Sequence, residues 1–338
     1  MSDIQLNSSL SFSGRSLFFW RLSILIILFL SILKGIRYPN LWSYSHFLFN
    51  YDFGFTKRAL IGELLTIIDI QYLFSYQFFA LFSLCLLLVN STLIYLLIVR
   101  FTRNGAAWRV GCALVFVTSI AIVFWAHTIG YADHLSLFAT LLVLLTRGFF
   151  KKALLAFVCF SLLMFIHEGA LVIFFPVVFL SLLISVVNTR RVVQLSVLAF
   201  ISLCVIATAL TVTNIKISKR DSLNMRASIE KRTDDRIRKD AWVPLYRSFN
   251  STFNKNLSMW DHPARPKEFL NSLAVTLPTA LLFVIIGFAY QRKIDRTIAI
   301  PIIAMLSGLA PLLLHLIAWD MHRWNSLAVI TCFCSLYL

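Results

Sequence analysis

The chain has 338 residues, of which 59% are hydrophobic and only 14% charged, with a mean hydropathy of +0.82. That much apolar surface excludes an ordinary soluble domain. The formal net charge of +16 would point to nucleic acid in a soluble protein, but in a membrane protein it belongs to basic inward-facing loops, so no nucleic-acid partner is expected.

From the N-terminus, MSDIQLNSSLSFSGRS carries little positive charge, and the apolar run from Leu17 reaches Lys34 without a small-residue cleavage site, so it reads as a retained first span. This run, at about 17–35, is followed by others at about 77–99, 109–126, 134–150, 152–166, 170–188, 192–212, 269–290, 297–319 and 324–338. A helix rising 1.5 Å per residue needs roughly 20 residues to cross a ~30 Å hydrocarbon layer, and most of these runs approach that length. The pattern predicts an all-α, polytopic transmembrane helix bundle of about ten spans, forming one integral membrane domain over residues 1–338. Lys151 and Lys152 are expected to snorkel at the start of the short fifth run. The apolar stretch around His167 reads either as two spans or as a broken, re-entrant pair. The last run, Trp324 to Leu338, covers only about 22 Å and reads as a tilted final helix or as the end of a truncated copy. All six cysteines (Cys85, Cys112, Cys159, Cys204, Cys332 and Cys334) fall inside apolar runs with no CxxC pair, which suggests neither a disulfide framework nor a zinc site. There is no internal repeat and no Gly/Ser linker.

With a cytoplasmic N-terminus, the inner connections become VRFTRNGAAWR, TRGFFKK, NTRR and QRKIDR, short and basic with Asp295 as their single acid. This satisfies the positive-inside rule. The opposite face receives residues 36–76, HTIGYADH, the HEG turn, the long segment 213–268 and WDMHRW. All seven histidines and every acid except Asp3 and Asp295 then lie on or near the outer side. Ionisable groups at a bilayer are costly unless paired, wetted or used, so they are expected to form one outward-facing site.

Four stretches carry the candidate chemistry. In NYDFGFTKRALIGE, Asp52 can accept a proton from a hydroxyl nucleophile, and Lys57 and Arg58 can neutralise a lipid phosphate. The alternative is that Asp52 caps a helix lying in the interface over 57–74, with snorkelling cations beside it and Gly54 turning the chain. In HTIGYADH, His127, Asp133 and His134 sit at the ends of two helices, either as ligands of a sugar or as helix-end groups with Asp133 a cap. A divalent metal there has no further support, and no cofactor is expected.

In FIHEGALVIFFP, His167 and Glu168 interrupt an otherwise continuous apolar stretch, to line a wet cavity or to make a polar turn. HEGAL lacks the second histidine of HExxH, so a zinc-peptidase reading fails. In HLIAWDMHRWN, Asp320, His322 and Arg323 lie between Trp319 and Trp324; Arg323 is a candidate phosphate ligand, or the Asp-x-x-Arg pair closes on itself. The segment 213–268 is rich in both charges and reads as a solvated, mobile loop or as a source of cations for an anionic partner. No Walker loop, dinucleotide fingerprint or GxSxG elbow occurs, so an activated substrate must arrive already in the membrane.

In layout the chain resembles the GT-C class of polytopic glycosyltransferases and the bacterial O-antigen polymerases. The resemblance rests on Asp52 in the first outer loop beside the interfacial helix 57–74, and on the outward His, acid and Arg groups. It implies a multi-pass protein of the bacterial inner membrane that takes a sugar from a polyprenyl phosphate or diphosphate to a glycan or glycolipid acceptor on the periplasmic face. By position, Asp52 matches the first-loop acid of such transferases, while Asp133, Glu168 and Arg323 match no family motif. The expected mechanism has Lys57, Arg58 or Arg323 on the leaving phosphate and a carboxylate, Asp52 first and Glu168 second, on the acceptor hydroxyl. His127, His134, His167, Asp320 and His322 are further candidate substrate contacts. Two other classes fit the composition: a lipid-linked oligosaccharide transporter or flippase, and a membrane acyltransferase using outer His and Asp groups.

Overall fold

The computed structural model describes residues 11–233, 236–294, 298–316 and 320–338. Asp3, Asp295 and Trp319 lie outside them. All named elements among the described residues are helices.

The first, α1 (Gly14–Gly35), starts where the Ser13 side chain accepts from Ser16 N and stops where Ile36 turns extended. Its 22 residues span about 33 Å, enough for the hydrocarbon layer. One face buries Ile24 and Leu28, while Phe18, Phe29 and Leu30 on other faces are more than half exposed, as a lipid-facing helix requires. A short α2 (Leu41–Phe47), capped by Asn40, and α3 (Leu60–Ile68) precede α4 (Tyr76–Phe101), which is capped by Ser75. The predicted third span is a bent pair, α5 (Ala107–Thr118) and α6 (Ile120–His127), meeting at 43°. Ser119 causes the break: its backbone is extended and its hydroxyl donates to the Phe116 carbonyl.

Then follow α7 (Asp133–Leu145), α8 (Phe149–Ile166), α9 (Ala170–Ile173), α10 (Phe175–Thr189) and α11 (Val192–Asn214). Lys152 on α8 turns inward and donates to the Ser181 hydroxyl on α10 instead of snorkelling. The long charged segment folds as α12 (Lys219–Arg232), α13 (Val243–Tyr246) and α14 (Phe249–Ser258), and α15 (Ala264–Ile294), α16 (Ala299–Leu309) and α17 (Met321–Tyr337) follow.

Among the described residues, six helices are long and apolar enough to cross a membrane, or seven if the bent pair counts as one span. Two others expected as spans, α7 and α10, are shorter apolar helices. The last, α17, behaves differently because it is the axis of the bundle: residues from Met321 to Leu336 are buried on nearly all faces, against α15, α16 and α6. Two of its polar side chains are satisfied by protein: Asn325 donates to Ser272 and pairs with the His315 ring, and Thr331 donates to the Gly308 carbonyl. The protein is an all-helical, multi-pass membrane protein.

A second, smaller core sits at one end. Tyr44, Phe47 and Phe49 pack with Phe74 and Phe79 beneath Met225, Ile229 and Trp242 of the long charged segment. This charged segment is thus anchored by an apolar face on α12 and is not a loose loop. It forms a cap over α2, α3 and the start of α4.

Candidate functional site

A cleft opens where α2, the loop before α3, the first turns of α4, the α6–α7 turn, the α8–α9 turn and the start of α17 converge. Trp42, His46, Arg58, Tyr131, His167 and Arg323 are among its lining residues, and it contains about 600 Å³ of empty space counting its open mouth. Two linked ion-pair clusters form its polar wall.

The first is built on the segment the sequence singled out. Gly54 adopts φ +110° and turns the chain, as expected of it. Arg58 also lies in the left-handed region, φ +65°, a conformation that costs a non-glycine residue roughly 1–2 kcal/mol. The strained backbone aims its guanidinium across the cleft at Glu168, where Nε and Nη2 donate to both carboxylate oxygens at 3.0 and 2.6 Å. Burial would raise the Glu168 carboxyl, but the Arg58 guanidinium outweighs it and holds it well below the usual carboxylate range. Arg58 Nη1 is also 3.5 Å from His46 Nδ1, and His46 Nε2 is 3.0 Å from the Ala241 carbonyl of the cap. Burial first, and the Arg58 charge second, push the His46 pKa well below its ordinary value.

The second cluster begins one residue away. His167 ends α8 with an extended backbone, and the N–H of Gly169 donates to its Nδ1 at 2.9 Å. Its Nε2 lies 3.6 Å from Asp133 Oδ1 and 3.2 Å from Arg323 Nη2. Arg323 Nε donates to Asp133 Oδ2, and the guanidinium is held between the rings of Tyr131 and Trp324, 4.3 and 4.4 Å from their centroids. Asp133 and Arg323 are both almost fully buried. Burial pushes the His167 pKa down to about 4 against the opposing pull of Asp133, so the imidazole is neutral at pH 7. Lys57 is buried beside this wall, and burial lowers its pKa, with Glu168 opposing.

The structure therefore brings together Arg58, Glu168, His167, Asp133 and Arg323, from four separated segments. It corrects two local expectations. Asp133 does not cap α7: the cap position is Ala132 with no side-chain bond, and the carboxylate is spent on Arg323. Asp320 does not pair with the Arg323 side chain; it caps α17 through the Arg323 backbone N–H.

Asp52 lies apart from this chain of contacts. It neither caps α3, whose cap position is Ala59, nor touches Arg58; it accepts from Asn50 at 2.8 Å and meets Arg232 of α12 at 3.5 Å. Glu63, in the first turn of α3, accepts from the Tyr51 N–H and ties the preceding loop to that helix. His134 is buried and stacks on Trp125. The rings of His127 and His322 both pack near Phe124, away from the ion pairs.

Sequence reasoning did not single out His46, Trp42 or Arg232. His46 sits in LWSYSHF with no second ionisable residue at helical spacing to mark it. Among the described residues no group of three or more His, Cys, Asp or Glu is arranged to hold a metal ion. Comparison of the chain with protein-family models, with curated proteins and with solved structures finds no match. What chemistry the protein performs is therefore a question for the cleft itself.

Proposed function

We propose that the protein is a membrane glycosyltransferase or polysaccharide polymerase of the bacterial inner membrane, with about ten membrane-crossing segments and a cytoplasmic N-terminus. It takes a sugar from a polyprenyl-phosphate- or diphosphate-linked donor to a glycan or glycolipid hydroxyl on the periplasmic face, in surface polysaccharide or glycolipid synthesis. The observation that carries this reading is the pair of guanidiniums, Arg58 and Arg323, on the wall of one aromatic-lined cleft.

Each guanidinium has spent part of its donor fork on a carboxylate, Arg58 through Nε and Nη2 and Arg323 through Nε. Arginine carries five N–H donors, so both keep donors for a phosphate oxygen. Carboxylate pairing fixes their positions in advance, which is the condition for stabilising charge that develops on a leaving phosphate without reorganisation. Lys57 adds a nearby cation. Trp42 and Tyr131, with ring centroids 5.8 Å apart, stack on each other and give the cleft an aromatic lining. The topology agrees: the cleft lies at the end of the bundle away from the basic connections that end α4 and α7.

The test is transfer by the purified protein in detergent or nanodiscs, supplied with polyprenyl-phosphate- or diphosphate-linked hexose and an oligosaccharide acceptor. A new glycosidic product supports the reading. Accumulation of lipid-linked oligosaccharide in vesicles without covalent change would instead establish a transporter, and product formed only with an acyl donor an acyltransferase.

A further inference from the structure

Glycosyl transfer to a hydroxyl needs a group that receives the hydroxyl proton, and none of the four carboxylates singled out in the sequence is among the lining residues of the cleft. Glu168 has both oxygens on Arg58, Asp133 is buried with Oδ2 on Arg323, Asp52 holds Asn50 and faces Arg232 through Oδ2, and Asp320 caps α17. Two imidazoles line the cleft, His46 and His167, and their partners distinguish them. His167 Nδ1 already accepts from the Gly169 N–H, and its Nε2 lies 3.2 Å from the Arg323 Nη2 donor and 3.6 Å from Asp133 Oδ1. Both of its ring nitrogens are therefore taken up by the protein.

His46 has the opposite arrangement. Its Nε2 faces a carbonyl, Ala241 O at 3.0 Å, which can only accept, so the ring proton is on Nε2 and the Nδ1 lone pair is left. The group nearest that lone pair is Arg58 Nη1 at 3.5 Å, the outer limit of a hydrogen bond. The ring is fixed by Trp42 and Phe49, with centroids at 3.8 and 4.7 Å. A base oriented by an acceptor behind it, with its lone pair beside an anion-binding guanidinium, is the arrangement general-base catalysis requires.

We propose that His46 is the general base of the transfer reaction, its Nδ1 taking the acceptor's hydroxyl proton beside the phosphate held by Arg58, while its Nε2–H is steadied by the Ala241 carbonyl. This rests on the glycosyl-transfer reading above. In the step, the acceptor oxygen forms a bond to the anomeric carbon of the donor sugar. The bond from that carbon to the phosphate oxygen breaks, and its electron pair leaves with the lipid phosphate or diphosphate. The hydroxyl proton passes to Nδ1, giving an imidazolium whose second N–H still donates to Ala241. That proton then leaves to the released phosphate or to water, restoring the neutral ring.

The charges around His46 make this a base active at neutral pH. Arg58 and His167 oppose its protonation and Glu168 favours it, while the Ala241 carbonyl supports the imidazolium. Burial and the Arg58 charge dominate, so the free protein carries a neutral His46 at pH 7. An anionic donor bound at Arg58 offsets that charge and makes Nδ1 more basic when the acceptor is in place.

The experiment uses the full chain in nanodiscs with polyprenyl-phosphate-linked hexose, or its diphosphate counterpart, and an oligosaccharide acceptor. His46→Gln should lower kcat by about 10²–10⁴-fold with the donor KM changed less than about threefold. In the wild type, kcat/KM should fall with acid below the ordinary histidine range and kcat should fall at a higher pH, since the two report the free and the substrate-bound states. His46→Gln should lose both limbs, and added imidazole should restore turnover to His46→Gly in proportion to its concentration. Near-normal kcat in folded His46→Gln, or an acid limb that survives in it, overturns the proposal while leaving the transferase reading intact. If His46→Gln does not fold, absence of imidazole rescue in His46→Gly overturns it. Absence of transfer by the wild type with either donor overturns both.

Discussion

Asp133 and Arg323 are 190 residues apart in the chain, yet the guanidinium Nε donates directly to the carboxylate between the starts of α7 and α17. Both are almost fully buried. Their contact ties the axial helix of the bundle to the α6–α7 turn and sets the position of Arg323 in the cleft. Removing one partner of a buried pair leaves an uncompensated charge and typically costs about 3–5 kcal/mol. Asp133→Ala should therefore lower the thermal unfolding midpoint in detergent strongly. The double variant Asp133→Leu with Arg323→Met should recover most of that stability and still show no transfer. A stable single variant would remove the pair as the anchor of α17.

The HEG turn is the most compact device in the site. A Cβ added at Gly169 would lie 2.5 Å from Cε1 and 2.8 Å from Nδ1 of His167, too close for any real contact. Gly169→Ala must push the imidazole off its backbone donor and away from Asp133. The fold should survive, because the turn is short and the displaced ring lies at the edge of the cleft. Transfer should fall at least tenfold, with the donor KM rising as Arg323 loses its neighbour. Normal kinetics in Gly169→Ala would mean that the ring position does not matter.

Much of this site was legible in the sequence, and what was not has a definite physical cause. Interrupting an apolar stretch with His167 and Glu168 costs insertion energy, so their functional weight could be read from that one segment. Their partners could not: Asp133 reads equally as a cap, and only the fold supplies Arg323 in place of free helix N–H groups. His46 was hidden for the reverse reason, since a lone histidine among Trp, Tyr and Phe has no spacing that marks it. The number of long helices was not legible, because an apolar run reads alike whether lipid or protein surrounds it. The polar side chains of α17, Asn325 and Thr331, are tolerated because protein surrounds them. Likewise, the charge density of segment 213–268 concealed the few apolar residues, Met225 and Ile229, that dock it as a cap.

Acidification should destabilise the protein through His167 in a defined window. Its folded pKa is lowered to about 4 from an ordinary 6.5, so below pH 6.5 the unfolded chain binds the proton first. Stability contributed by the neutral ring is complete above about pH 6.5 and is lost progressively as pH falls toward 4, by an amount on the order of 3 kcal/mol. His167→Gln should lessen the pH dependence of the unfolding midpoint across that window, with His46, whose pKa burial also lowers, supplying part of what remains. Glu168 acts lower on the scale: its depressed carboxyl contributes stability that is complete above the ordinary glutamate value and declines only below it. Equal slopes for wild type and His167→Gln between pH 4 and 6.5 would contradict the assignment.

Asp52 and Arg232 offer the sharpest contrast with the sequence-level expectation that Asp52 is the base. Arg232 ends α12, donates to Thr66 at 3.2 Å, lies over the ring of Phe74, and offers its own carbonyl to Gln71. Its contact with Asp52 at 3.5 Å is about one-third exposed on both sides, so as an ion pair it is worth under about 1 kcal/mol. Its consequence is mechanical, since it is one of several ties that hold the cap to α3. Asp52→Asn should keep transfer within about threefold of the wild type. Arg232→Ala, which removes the Asp52, Thr66 and Phe74 contacts together, should leave the bundle folded and make the segment between Asn214 and Ala264 more readily cut in limited proteolysis. Because the Ala241 carbonyl that orients His46 lies in that same segment, Arg232→Ala should also lower kcat more than Asp52→Asn does. Loss of all turnover in Asp52→Asn, with cap proteolysis unchanged, would return the role of base to the carboxylate.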